Sequence, residues 1–167
     1  MSSTAQATDT TTAEVPRPAA AWQPNILVFA CNWCSYAGAD TAGVSRIQHE
    51  PHFRMIRVMC SGRIEPGFVL RAFEKGADGV LVSGCHFGDC HYMFGNERAA
   101  RLFETTKSVV KLLGVEEGRL RLEWISAAEG ARFAEVINEF TEQVRKLGPS
   151  PVKRARRHEG DNGGATG

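Results

Sequence analysis

Apolar residues follow two alternating periodicities through the middle of the chain. The runs Asn25–Ala30 (NILVFA), Phe53–Met59 (FRMIRVM) and Gly79–Ser83 (GVLVS) are short and rich in branched side chains. Such runs, bounded by polar or glycine-containing segments, predict strands buried within a sheet. After each run the apolar spacing lengthens to three and four residues, which is one face of a helix. The first helix is predicted over about Gly38–His49. The second spans Glu65–Gly76, with Pro66 near its start, Phe68, Val69, Leu70 and Phe73 along it, and Gly76 past its end; proline early and glycine late is the expected helix punctuation. A third helix, Asn96–Leu113, is predicted to face Ala99, Leu102, Phe103, Val109, Val110 and Leu113 inward, with Gly114 closing it. Leu120–Ile125 alternates Leu120, Leu122 and Trp124 with Arg119, Arg121 and Glu123, the pattern of a half-exposed strand at a sheet edge. The last helix, Ala128–Leu147, carries Phe133, Val136, Ile137, Phe140, Val144 and Leu147 at helical spacing, and Pro149 and Pro151 stop it.

This succession of strand and helix implies an α/β fold: an open, mostly parallel four-stranded sheet flanked by helices, of the flavodoxin-like or Rossmann-like type. The expected domain covers residues 23–148. Residues 1–22 are rich in Ala, Thr, Ser and Pro and lack the basic start and apolar core of a secretory signal, so they read as a disordered leader. Residues 149–167, with Lys153, Arg154, Arg156 and Arg157 followed by glycine-rich sequence, read as a disordered basic tail.

The chain has 167 residues, 43% hydrophobic and 23% charged, a composition that supports one globular core. Twenty basic and nineteen acidic residues leave a net charge of +1. That balance gives no footing for nucleic acid as a main partner, and no apolar stretch reaches the length of a membrane span.

The five cysteines change the picture most. Cys31, Cys60 and Cys85 each follow one of the first three predicted strands, and Cys34 and Cys90 lie just beyond the first and third. Parallel strands align their carboxyl ends along one sheet edge, where α/β folds place their sites, so the five thiols converge on one expected site. An odd cysteine count argues against a secreted disulfide framework and for a reducing cytoplasm, where clustered thiols bind metal or do redox chemistry. Cys31 and Cys34 form a Cys-x-x-Cys pair, which also fits a dithiol oxidoreductase. That reading leaves Cys60, Cys85 and Cys90 idle, whereas metal binding employs all three segments. A zinc-stabilised scaffold remains an alternative, but the four-residue gap between Cys85 and Cys90 suits a zinc knuckle poorly. The spacing favours an iron–sulfur cluster held by four of the five thiols. His86 and His91 are read as outer hydrogen-bonding neighbours, Tyr36, Asp40, Arg63 and Asp89 as loop-capping or partner-contact residues, and Trp33 and Phe87 as shields against water or contacts for a docking protein.

The segments Cys31–Asp40 (CNWCSYAGAD), Arg57–Arg63 (RVMCSGR) and Gly84–Tyr92 (GCHFGDCHY) together resemble the delta, iron–sulfur subunit of methyl-viologen-reducing hydrogenase, over about Asn25–Leu147. The resemblance implies a non-catalytic electron adapter with a [2Fe–2S] cluster. Its expected partners are a heterodisulfide-reductase-like subunit carrying FAD and an electron donor such as hydrogenase or formate dehydrogenase.

Overall fold

The computed structural model describes residues 22–153; the expected leader and most of the expected tail fall in residues 1–21 and 154–167, outside the described residues. Four strands, β1 (Ile26–Cys31), β2 (Phe53–Val58), β3 (Gly79–Gly84) and β4 (Leu120–Trp124), form one sheet in the order β2-β1-β3-β4. Every pairing is parallel, with Ile26 opposite Phe53 and Gly79, and Val80 opposite Leu120. The helices are α1 (Ser35–Val44), α2 (Pro66–Glu74), α3 (Gly95–Leu112) and α4 (Gly130–Leu147). The expected α/β architecture is the one observed, with β4 at an edge.

Two cores lie on opposite faces of the sheet. On one face, Ile26, Val28, Ala30 and Leu81 pack against Phe133, Ile137 and Phe140 of α4 and Ala42 of α1. On the other, Phe29, Val80, Val82 and Leu120 meet Val69 and Phe73 of α2 and Val110 of α3. Central β3 is buried along its whole length, consistent with its unbroken apolar run. The approach of α1 to α4 and to the segment before it depends on small side chains: a Cβ on Gly130 would lie 2.7 Å from the Ala42 nitrogen, and one on Gly38 2.7 Å from the Ser126 carbonyl.

Two helices differ from expectation at their ends. The first runs Ser35–Val44, not Gly38–His49. Cys34 already occupies its N-cap, and Arg46, with φ of 55°, turns the chain out of the helix. In α3, Leu113 is 60% exposed, not inward-facing, and Thr106 is buried in the core-facing row. The Thr106 hydroxyl is satisfied by donating to the Leu102 carbonyl at 2.6 Å, so burial costs it no hydrogen bond.

The amino-terminal end of the sheet is fastened by two buried charged residues. Arg119, fully buried, donates to the carbonyls of Asp78 (3.0 Å), Gly148 (2.8 Å) and Leu147 (3.1 Å) and pairs with Glu116 at 2.7 Å. Asp78, also buried, accepts from the backbone N–H groups of Asn25 and Ser150, both at 2.9 Å, and from the Lys153 ammonium at 3.1 Å. The chain therefore stays packed beyond the expected domain end at 148, through the helical turn at 151–153. Replacing Arg119 with Met would leave these carbonyls unpaired. It is expected to cost about 3 kcal/mol or more in urea unfolding, against less than about 0.5 kcal/mol for Arg101→Ala, which loses only the exposed Glu97 pair.

Candidate metal centre

The carboxyl ends of β1, β2 and β3 open on the same edge, and the order β2-β1-β3 places the topological switch at that edge between β1 and β3. Cys31 is the last residue of β1, Cys60 follows β2 by two residues, and Cys85 follows β3 directly. Cys31, Cys34, Cys85 and Cys90 form one buried cluster with half-buried Cys60 against it. The sulfurs of Cys31, Cys34 and Cys85 all lie within 4.8 Å of one another. Cys60 and Cys90 form a second group beside them. A Cβ placed on Gly95 would overlap the Cys60 sulfur and lie 3.2 Å from the Cys90 sulfur. None of the five is in a disulfide.

The thiols shift one another's acidity. The Cys34 thiol donates to Cys31 and lowers its pKa to about 6, aided by the Trp33 and Ser61 backbone N–H groups, against the opposing effect of burial. The same contact, followed by burial, pushes Cys34 upward. Burial pushes Cys85 up to about 11 and raises Cys60. At Cys90 burial again opposes ionisation, but N–H groups of Asn96, Tyr92 and Gly95 outweigh it and hold the thiol below its ordinary value. An all-sulfur donor set in a buried pocket, with backbone N–H groups turned toward it, suits a soft metal or a cluster that binds thiolates.

Neighbouring residues hold the three loops in place. The Trp33 ring stacks on His91 at 4.0 Å, and its indole N–H donates to the Tyr92 hydroxyl at 3.4 Å, joining the first loop to the third. Phe87 meets Trp124 edge-on at 5.1 Å. Trp33, Phe87, Tyr92, Met93 and Phe94 are all exposed and give this end of the molecule an apolar rim. Gly88, with φ of 90°, takes the left-handed turn inside the third loop. His86 pairs with Glu129 at 2.6 Å. Tyr36 lies beneath the Arg57 guanidinium at 4.8 Å, while Asp40, Arg63 and Asp89 are exposed.

Three supporting residues escaped the sequence reading. Asn96, buried at the start of α3, donates to the carbonyls of Cys85 (3.2 Å) and His86 (2.7 Å), tying the third loop to the helix. Gly95 gives the Cys60 and Cys90 sulfurs their room. Glu129 accepts from the Ser126 N–H at 2.7 Å and from His86. The Ser126-Ala-Ala-Glu129 spacing is that of a capping box and was the available signal for the first of these contacts; nothing local marked the second.

This geometry can be set beside known proteins. Residues 26–148 match the family described as methyl-viologen-reducing hydrogenase, delta subunit. The chain belongs to that family. It is 52% identical over 133 residues to an iron-sulfur subunit of the F420-non-reducing hydrogenase of Archaeoglobus profundus, covering 80% of this chain and 97% of the relative. It is 51% identical over 132 residues to an iron-sulfur subunit of the vhc F420-non-reducing hydrogenase of Methanococcus voltae, covering 79% and 92%. A third relative belongs to the ferredoxin/F420H2-dependent CoB-CoM heterodisulfide reductase of Methanosarcina acetivorans, one of whose subunits is 52% identical over 126 residues. That match takes in 75% of this chain but 16% of the relative, so a domain of this family forms one part of a much longer polypeptide there. Among the described residues, no helix is long and apolar enough to cross a membrane.

Two outcomes follow from the site. Gly95→Ala is expected to push Cys60 and Cys90 apart and weaken cobalt(II) binding, read from thiolate charge-transfer absorption, by about tenfold or more. Gly43→Ala, with nothing within 4 Å of the added Cβ, should bind normally. Glu129 is held at about 2 by the Ser126 N–H and then by His86. A depressed carboxylate stabilises the fold above its unfolded pKa of about 4.3 and loses that contribution as the pH falls toward the folded value. Urea midpoints of reduced, metal-free wild-type and Glu129→Gln protein should therefore differ at neutral pH and converge on acidification toward pH of about 2.

Proposed function

We propose that this chain is an electron-transfer subunit of a hydrogenase- or heterodisulfide-reductase-type complex and holds a [2Fe–2S] cluster. The observation that carries this reading is the convergence of five sulfurs from three loops on one sheet edge, three of them within 4.8 Å of each other. The names of the relatives, iron-sulfur subunits of hydrogenases and a component of a heterodisulfide reductase, support it. When bound, such a cluster would supply one-electron redox chemistry. Cys31, Cys34 and Cys85 would provide three ligands, and the Cys60–Cys90 pair would provide the fourth.

The protein's part is positioning and exclusion of water. The sheet holds Cys31 and Cys85 at adjacent strand ends, while Asn96 pins the carbonyl of Cys85 and the Trp33–His91 stack covers the site. The site lies close behind an exposed apolar rim, which favours electron exchange with a docked partner because tunnelling falls steeply with distance. The proposed partners are a hydrogenase or formate dehydrogenase donor and a heterodisulfide-reductase-like protein containing FAD.

One observation favours a second reading. Cys31, lowered by Cys34, resembles the attacking thiol of a dithiol oxidoreductase. Yet Cys85 also interacts with both of those thiols, and a simple dithiol pair has no use for the third.

Anaerobically purified protein should be coloured and contain iron and acid-labile sulfide in the equal amounts that a [2Fe–2S] cluster requires. Cys31→Ser, Cys34→Ser and Cys85→Ser should each lose most of the iron, and only one of Cys60→Ser and Cys90→Ser should do so. Retention of full chromophore in both Cys85→Ser and Cys90→Ser would refute the cluster reading, and tightly held zinc in colourless protein would establish the scaffold instead.

A further inference from the structure

The two edges of the sheet are finished differently. At β4, Arg121 pairs with Glu123 and Glu139, and Arg132 reaches Glu123, so the strand carries its own neutralised cover. At β2 no such cover exists among the described residues. The Ile26 N–H donates to the His52 carbonyl and the Asn32 N–H to the Val58 carbonyl, so even-numbered residues of this stretch face β1. By the alternation of a parallel ladder, the N–H and C=O groups of Phe53, Met55 and Arg57 point outward, without a strand partner.

Beside this open edge lies an apolar groove of about 370 Å³, floored by Leu27, Phe29, Ile56 and Phe68. Ile56 is 45% exposed and Phe68 40%. Arg71 and Lys75 line the same groove, and Arg54 shares the face of β2 that carries Ile56. Arg71 is paired with Glu74. Arg54 and Lys75 have no acidic partner among the described residues.

We propose that this edge and groove form a docking site for an extended, acidic segment of another protein, which adds to the sheet as a strand alongside β2. Three observations converge on that occupant. The outward backbone groups of β2 supply the ladder that strand addition requires. The apolar floor accepts alternate side chains of an added strand, because successive residues point to opposite faces. Arg54 and Lys75, without acidic partners among the described residues, select carboxylates beside those apolar residues. They also disfavour a second copy of this chain, since pairing β2 with itself would bring Arg54 and Arg57 against the same cations. The site is separate from the thiol edge and does not depend on what the cysteines hold.

The test uses the full chain with its cofactor content intact and two synthetic peptides of strand length, both apolar at alternate positions. One carries glutamate between them and the other lysine. The glutamate peptide is expected to bind by fluorescence anisotropy, with slowed hydrogen exchange at the Phe53, Met55 and Arg57 amides. The lysine peptide should bind weaker by about tenfold or more. Arg54→Glu combined with Lys75→Glu should reverse that preference, and Ile56→Glu should abolish binding of the glutamate peptide. Because Ile56, Arg54 and Lys75 are exposed, unchanged circular dichroism and urea midpoints would show that the variants remain folded. Absence of binding at millimolar peptide, equal binding of both peptides, or protection elsewhere would overturn the proposal. So would an Ile56-dependent dimer, or β2 amides protected before peptide is added and released by removing residues 1–21.

Discussion

Parallel pairing of β1 with both β2 and β3 is the constraint on which the site depends. A parallel ladder runs all its strands in one direction, so three chain segments leave the sheet on the same side. In register, Cys31 stands opposite Val58, and Ala30 stands opposite Ser83. Cys60 and Cys85 therefore emerge within a residue or two of the level of Cys31. A one-residue slip would reverse the faces of a strand, and here it would also carry a thiol out of reach. Close packing at both ends of β3 opposes that slip, since a Cβ on Gly79 would lie 2.7 Å from Val144 and one on Gly84 2.6 Å from the Ser61 hydroxyl.

Fixing the strand ends is only half of the geometry, because four of the thiols lie beyond the strands. Those loops are held by contacts made outside the sheet. Asn96 ties the third loop to α3, Gly95 accepts the Cys60 and Cys90 sulfurs, and a Cβ on Gly62 would lie 2.6 Å from the Gly95 carbonyl. The second loop thus rests on the start of α3 and brings Cys60 beside Cys90. Trp33 and His91 close the first loop against the third from the solvent side. Met93, a non-glycine residue with φ of 68°, completes the turn into α3. Such a conformation costs energy and persists where surrounding contacts determine it.

The degree to which this was legible in the sequence follows the range of each interaction. The strands and the α/β class could be read because apolar runs and helical spacing are local signals. β4 at an edge could be read because Arg121 and Glu123 interrupt its apolar residues. The convergence of five cysteines followed from topology, since each lies at the end of a parallel strand or in the segment just after one. The helix ends were less accessible: α1 begins at once after Cys34, and Arg46 ends it early through a backbone conformation no composition rule announces. The grouping of Cys60 with Cys90 depends on Gly62 meeting Gly95, a contact between distant segments. Arg119 looked like one more alternating polar residue before β4, and its burial became evident only when the carbonyls of residues 78, 147 and 148 surrounded it.

The buried charges and the thiols stand at opposite ends of the same strands, and that separation has a physical consequence. Asp78 and Arg119 join the starts of β1, β3 and β4 to the end of α4 through several charge-assisted hydrogen bonds, which are stronger than neutral ones. Removing either side chain would leave buried backbone groups unpaired, so this end has little freedom to rearrange. The thiol end contains no such bond between buried charges among the described residues; its loops meet through glycine contacts, carbonyl-directed Asn96 and aromatic stacking. A group bound by the sulfurs would supply the cross-links that these loops otherwise lack, since metal–thiolate binding energy adds directly to folding energy. The fold is thus locked by charge where the chain enters and leaves it, and left to be completed by ligation where the strands end.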